Sequence, residues 1–145
     1  MNTLIRTLTA VVVVLAITLG SAGVAMAAGA DKPQIATSAA LGSYLADGKG
    51  MTLYYFKKDA QDKNSCVGPC LEKWHPYFAE KITAPAGSDP KDFGTFERNN
   101  GAKQTTFKGW PLYYFSGDMA PGDAKGQGFK DVWYVINPVS MEPCH

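Results

Sequence analysis

One stretch of this chain occurs twice. Thr52-Leu53-Tyr54-Tyr55-Phe56-Lys57-Lys58-Asp59 returns, 59 positions later, as Pro111-Leu112-Tyr113-Tyr114-Phe115-Ser116-Gly117-Asp118. The same offset carries Gly50 onto Gly109, Glu72 onto Asp131 and Trp74 onto Trp133. Landmarks that hold one register over that distance imply a duplicated unit rather than chance recurrence. Two copies are too few for a solenoid. The expected outcome is two similar halves packed about a pseudo-twofold axis around one core.

Each copy reads as a strand. Leu-Tyr-Tyr-Phe is short, aromatic and bounded by Gly or Pro. A period of two places Tyr54 and Phe56 on one face, Leu53 and Tyr55 on the other. Both faces are apolar or aromatic, which fits a strand covered on both sides or one presenting an aromatic surface through Tyr55 and Tyr114. Asp59 and Asp118 fall just past the strand ends, where a carboxylate accepts N–H bonds from the following turn.

Turn chemistry places further strands. Asn99-Asn100-Gly101 separates Phe93–Arg98 from Lys103–Phe107 and predicts a hairpin with positive φ at both central residues. Asp47–Gly50 turns Leu41–Ala46 into Met51–Phe56, and Asp131–Ile136 reads as a strand ending at Asn137-Pro138. One short helix is expected near 69–75, opened by Pro69 and stopped by Pro76. Thr83–Pro90 reads as a surface loop. The expected fold is therefore all-β or β-dominated, with duplicated halves at about 40–90 and 91–140 inside a single domain over 40–145, preceded by a flexible lead at 28–39.

Residues 1–27 carry an address. Arg6 precedes an apolar run from Leu8 to Leu19, and Ala25-Met26-Ala27 fits a signal-peptidase site. The competing reading is an uncleaved anchor, weakened by the Ala, Gly and Thr that follow Ile17. The expected location is periplasmic or secreted, with membrane contact only through the signal peptide. A lipid anchor is not expected, because the first cysteine is Cys66. A net charge of +1 gives no electrostatic reason to bind nucleic acid. With 46 % apolar and 12 % aromatic residues the chain can bury a core, which excludes wholesale disorder.

These residues resemble a bacterial secreted-repeat family, labelled as predicted lipoproteins with a Yx(FWY)xxD motif. Tyr54, Phe56 and Asp59 carry the motif once; Tyr113, Phe115 and Asp118 carry it again. Ser65-Cys66-Val67-Gly68-Pro69-Cys70 followed by Trp74 is similar to the family's Cys-x-Gly-x-Cys segment. Gly122-Asp123, Gly126-Gln127-Gly128 and Val132-Trp133-Tyr134 match its second-half ending. His75-Pro76 stands where the family usually has two prolines. The resemblance implies an exported, duplicated β-rich domain and no particular activity.

Every Cys and His falls in one of two clusters, Cys66, Cys70 and His75, or Cys144 and His145. As soft ligands these five would suit copper or zinc if the C-terminal tail folded back on the first cluster. The plainer alternative is a disulfide in an oxidising compartment, with three pairings open among three cysteines. The resemblance favours Cys66–Cys70, since both lie inside the matched segment. Covalent c-type haem is excluded because Leu71, not His, follows Cys70. Thiol exchange is disfavoured by the spacing between the two cysteines. Asp118 and Asp123 in the Gly-rich stretch 117–128 lack the acidic density of a calcium loop. No nucleophile elbow, zincin or nucleotide fingerprint occurs.

The function expected from sequence is an exported, non-enzymatic envelope or secreted module, structural or binding an extracellular ligand, with no catalytic residues and no cofactor. The alternative is a periplasmic metal or redox protein built on the Cys/His clusters.

Overall fold

The two copies of the aromatic stretch pair with each other. In the computed structural model, which describes residues 32–145, strand β3 (Tyr54–Phe56) lies antiparallel to β8 (Tyr113–Phe115), with Tyr54 directly opposite Tyr113. A residue facing its own repeat mate marks a local twofold axis. The flanking strands obey it. β9 (Trp133–Val135) pairs with β3, and β4 (Trp74–Pro76) pairs with β8, giving the order β4-β8-β3-β9. Thus each half supplies the outer strand for the other half's inner one. Bonds just outside the strands repeat too: Lys57 N–H donates to Val132 O and Ser116 N–H to Lys73 O, both at 2.8 Å.

Two hairpins cover this sheet. β1 (Gln34–Ser38) pairs with β2 (Gly42–Ala46), and β5 (Phe93–Glu97) with β6 (Lys103–Phe107), which also meets the two-residue β7 (Trp110–Pro111). Each hairpin is bonded to the opposite half. Leu45 N–H donates to Ile136 O, and Thr105 N–H donates to Tyr77 O.

The period of two in the aromatic strands divides the interior. Tyr54, Trp74, Tyr113 and Trp133 form one buried cluster, joined by Phe56 and Phe115. Leu45, Leu53, Tyr77, Phe107, Leu112 and Ile136 form a second, on the other face. Of the two alternatives, a covered strand is nearer: Tyr55 and Tyr114 are half-buried and packed against neighbours. Tyr55 packs against Trp110, with ring centroids 4.8 Å apart. Tyr114 packs edge-on against Tyr77, and its hydroxyl donates to Asp47. Hairpin residues Ile35, Leu45, Phe93 and Phe107 pack into the same cluster and cover this face in part.

Several local expectations change. Residues 34–38, expected as flexible lead, are strand β1; with Ile35 as their one large apolar residue they gave no periodic signal. The helix α1 is only Cys70–Lys73, because Trp74–Pro76 is drawn into the sheet. The last strand is Trp133–Val135, since Lys130 and Asp131 adopt positive φ in a turn before it. At the Asn-Asn-Gly turn only Gly101 has positive φ, so a single left-handed glycine reverses the chain. A 3₁₀ turn, η1 (Pro90–Asp92), follows the linking loop, capped by the Asp89 carboxylate. Residues 1–27, expected to be a signal peptide, lie outside the described residues.

Candidate functional site

Four of the six motif residues, the tyrosines and the aspartates, bond across the pseudo-axis. Tyr54 Oη donates to Asp118 Oδ2 at 2.7 Å, and Tyr113 Oη donates to Asp59 Oδ2 at 2.8 Å. The bonds are crossed: each tyrosine serves the aspartate of the other half. The second oxygen of each carboxylate pins the turn after its own strand. Asp59 Oδ1 accepts from Ser65 N–H, and Asp118 Oδ1 from Lys125 N–H. The motif therefore encodes a strand, the turn that follows it, and one cross-half hydrogen bond.

Above these bonds runs a palindromic aromatic column. Trp74 and Trp133 are stacked at 3.8 Å and 2°. Phe56 stacks outside Trp133 at 4.3 Å, and Phe115 lies outside Trp74 at 4.5 Å. Gly126 makes room beside it, since a Cβ there would stand 2.7 Å from Trp74.

Burial dominates the electrostatics of the pair. It pushes the Asp59 carboxyl up to about 6, against the Ser65 and Tyr113 hydrogen bonds and the nearby Arg98 guanidinium, which all favour the anion. Asp118 is raised for the same reason, and burial raises both tyrosines as well. A carboxyl near 6 suits general acid–base work. Asp59, however, is only 6 % exposed, and each of its side-chain oxygens already accepts a protein hydrogen bond. A substrate has no approach to it. The Asp–Tyr pairs read as structural.

The cysteines divide. Cys66 and Cys70 are joined as a disulfide with Cα atoms 5.4 Å apart, which closes the loop before α1. The Cys66 carbonyl accepts from the buried Arg98, whose other amine donates to Gln104. Cys144 is a buried free thiol; its Sγ lies 4.0 Å from Asp59 O, and burial pushes it up to about 11. His75 and His145 are exposed. Among the described residues no three His, Cys, Asp or Glu are grouped for a metal ion, so the five-residue copper or zinc set is not assembled. Its two central sulfurs are bonded to each other. Asp123, the other acid of the Gly-rich stretch, accepts from Met119 and Ala120 N–H.

Sequence reasoning missed one feature that is open to a ligand. Beside the column lies a groove of about 360 Å³. Phe56, Trp133 and Cys70 form its apolar floor, and Lys58, Lys73 and Lys130 stand at its rim. Its lining includes no carboxylate. These lysines are scattered in sequence, and only pairing β3 with β9 and β4 with β8 brings them together.

The described secreted repeat of unknown function matches residues 36–77 and again 94–137, and the chain belongs to that family. The two matched segments correspond to the two halves seen in the fold. No curated protein and no solved structure matches the chain. Among the described residues no helix is long and apolar enough to cross a membrane.

Proposed function

We propose that the protein works in the periplasm or outside the cell as a non-enzymatic binding module, and that the lysine-rimmed groove is its contact site. One observation carries this reading. Three cations without a lining carboxylate surround an apolar floor, so an anionic group is attracted there and an apolar body has a surface to cover. The acids of tuned pKa are sealed inside the fold and make no catalytic constellation. Titration followed by ¹H–¹⁵N correlation spectra tests the reading. Anionic compounds, but not neutral ones, are expected to shift the amides of Phe56, Cys70, Lys73 and Trp133, and added salt is expected to weaken the effect. If no anion moves these amides, the groove is not a contact site and the reading falls.

A further inference from the structure

The halves differ at one place where the duplication predicts likeness. Cys70 is the 59-offset mate of Phe129. The backbones differ, helical at Cys70–Lys73 and a turn with positive φ at Lys130 and Asp131, yet three hydrogen bonds recur at matched positions. Cys70 N–H donates to Val67 O and Phe129 N–H to Gly126 O; Glu72 N–H donates to Pro69 O and Asp131 N–H to Gly128 O. Trp74 N–H then donates to Cys70 O, as Trp133 N–H does to Phe129 O. The side chains differ as well. The Phe129 ring lies edge-on to Trp74, 5.7 Å between centroids at 67°, and 5.9 Å from Phe115. The twin residue Cys70, tied back to Cys66, carries no ring, and it lines the groove with Trp133, Phe56, Pro69 and Val132. At about 360 Å³ the groove beside Cys70 has room for a ring of the kind Phe129 supplies in the other half.

Building on the reading of the groove as a contact site, we propose that it binds a small aromatic acid. Its ring takes the place beside Trp133 and Phe56 that Phe129 takes beside Trp74 and Phe115, and its acid group meets Lys58, Lys73 and Lys130. Two observations select this chemistry. Both faces of Trp133 are covered, by Phe56 on one side and Trp74 on the other. A sugar, which stacks on an open aromatic face, finds none on this indole; the edge that remains is electropositive and favours the π-face of another ring. The cations are also already placed for a ring. Lys73 Nζ and Lys130 Nζ lie 4.9 Å and 5.7 Å from the Phe129 centroid, at the border between the filled niche and the open one.

The test uses the exported chain and four probes: 3-phenylpropionate, 3-cyclohexylpropionate, 3-phenylpropanol and an acidic peptide carrying one phenylalanine. Phenylpropionate is expected to shift the Cys70, Lys73, Lys130 and Trp133 amides and to bind about tenfold more tightly than the cyclohexyl acid or the alcohol. Equal binding of the two acids overturns the ring assignment while leaving an anion-binding groove. Binding of the peptide alone overturns the small-molecule assignment. No shift with any probe overturns both this proposal and the groove's role. A Cys66→Ser, Cys70→Phe variant, which supplies the missing ring, is expected to abolish binding. Should that variant fail to fold, Lys58→Gln with Lys130→Gln decides: about tenfold weaker binding supports the site, and unchanged affinity removes it.

Discussion

Tyr54 and Tyr113 face one another across the β3–β8 pair, and each hydroxyl donates to the aspartate belonging to the other's half. The family motif is thus completed only between repeats. A strand, a turn and an inter-repeat hydrogen bond are packed into six residues, and the two copies keep all of them except Lys57 and Lys58, which become Ser116 and Gly117.

Removing either hydroxyl is expected to destabilise the fold. Tyr54→Phe and Tyr113→Phe each leave a buried carboxyl oxygen without its donor, at a cost of about 1–3 kcal/mol. Tyr54→Phe also leaves the buried Gly126 N–H, which donates to that hydroxyl at 3.2 Å, without its acceptor. Denaturant unfolding measures both. Because the two bonds share one interior, the double variant is expected to depart from additivity.

Stability is expected to fall as pH rises from about 4 to about 6. The Asp59 carboxyl is held near 6 in the fold against 3.8 in the open chain, so the native state carries the extra proton in that window. Its contribution is full below the unfolded value and is lost as pH passes through the folded one, amounting to about 3 kcal/mol. Asp118 shifts in the same direction and adds to the slope. Thermal unfolding across this range checks the sign, and Asp59→Asn is expected to flatten the profile.

The glycine that admits the tryptophan column is expected to tolerate no side chain. In Gly126→Ala the new Cβ would lie 2.7 Å from Trp74 and 3.0 Å from Tyr54. Both neighbours are locked, one in the stack and one by its hydrogen bond, so overpacking is expected to cost about 1–3 kcal/mol in unfolding free energy.

The thiol count is expected to be one. Intact-mass measurement after alkylation should show a single adduct at Cys144, formed slowly in the native state, where the thiol is buried and pushed up to about 11, and rapidly after unfolding. Replacing Cys66 and Cys70 by alanine is expected to cost about 2 kcal/mol, as suits so short a loop.

The sequence disclosed the parts that repeat. Offset arithmetic found Tyr54 with Tyr113, Trp74 with Trp133 and the two aspartates, because a duplicated fold writes its symmetry into spacing. Strand β1 was not legible by the same rule, since Gln34–Ser38 shares no residue with Phe93–Glu97 at that offset. Its hydropathy alone was too weak to show it. The groove was not legible, since Lys58, Lys73 and Lys130 meet only through pairing between halves. Arg98 was missed for a related reason. The offset places Ala39 opposite it, so nothing in the repeat marks a buried cation that fastens the second hairpin to the disulfide loop.

Each half lends its outer strand and its hairpin's anchoring bond to the other, and the single covalent link between the matched segments is the stretch around residues 78–93. Scission there by a protease would not set two fragments free. It would leave a nicked molecule whose pieces stay clasped through their shared interior, so an exported protein built this way can lose its connecting peptide and still keep its shape.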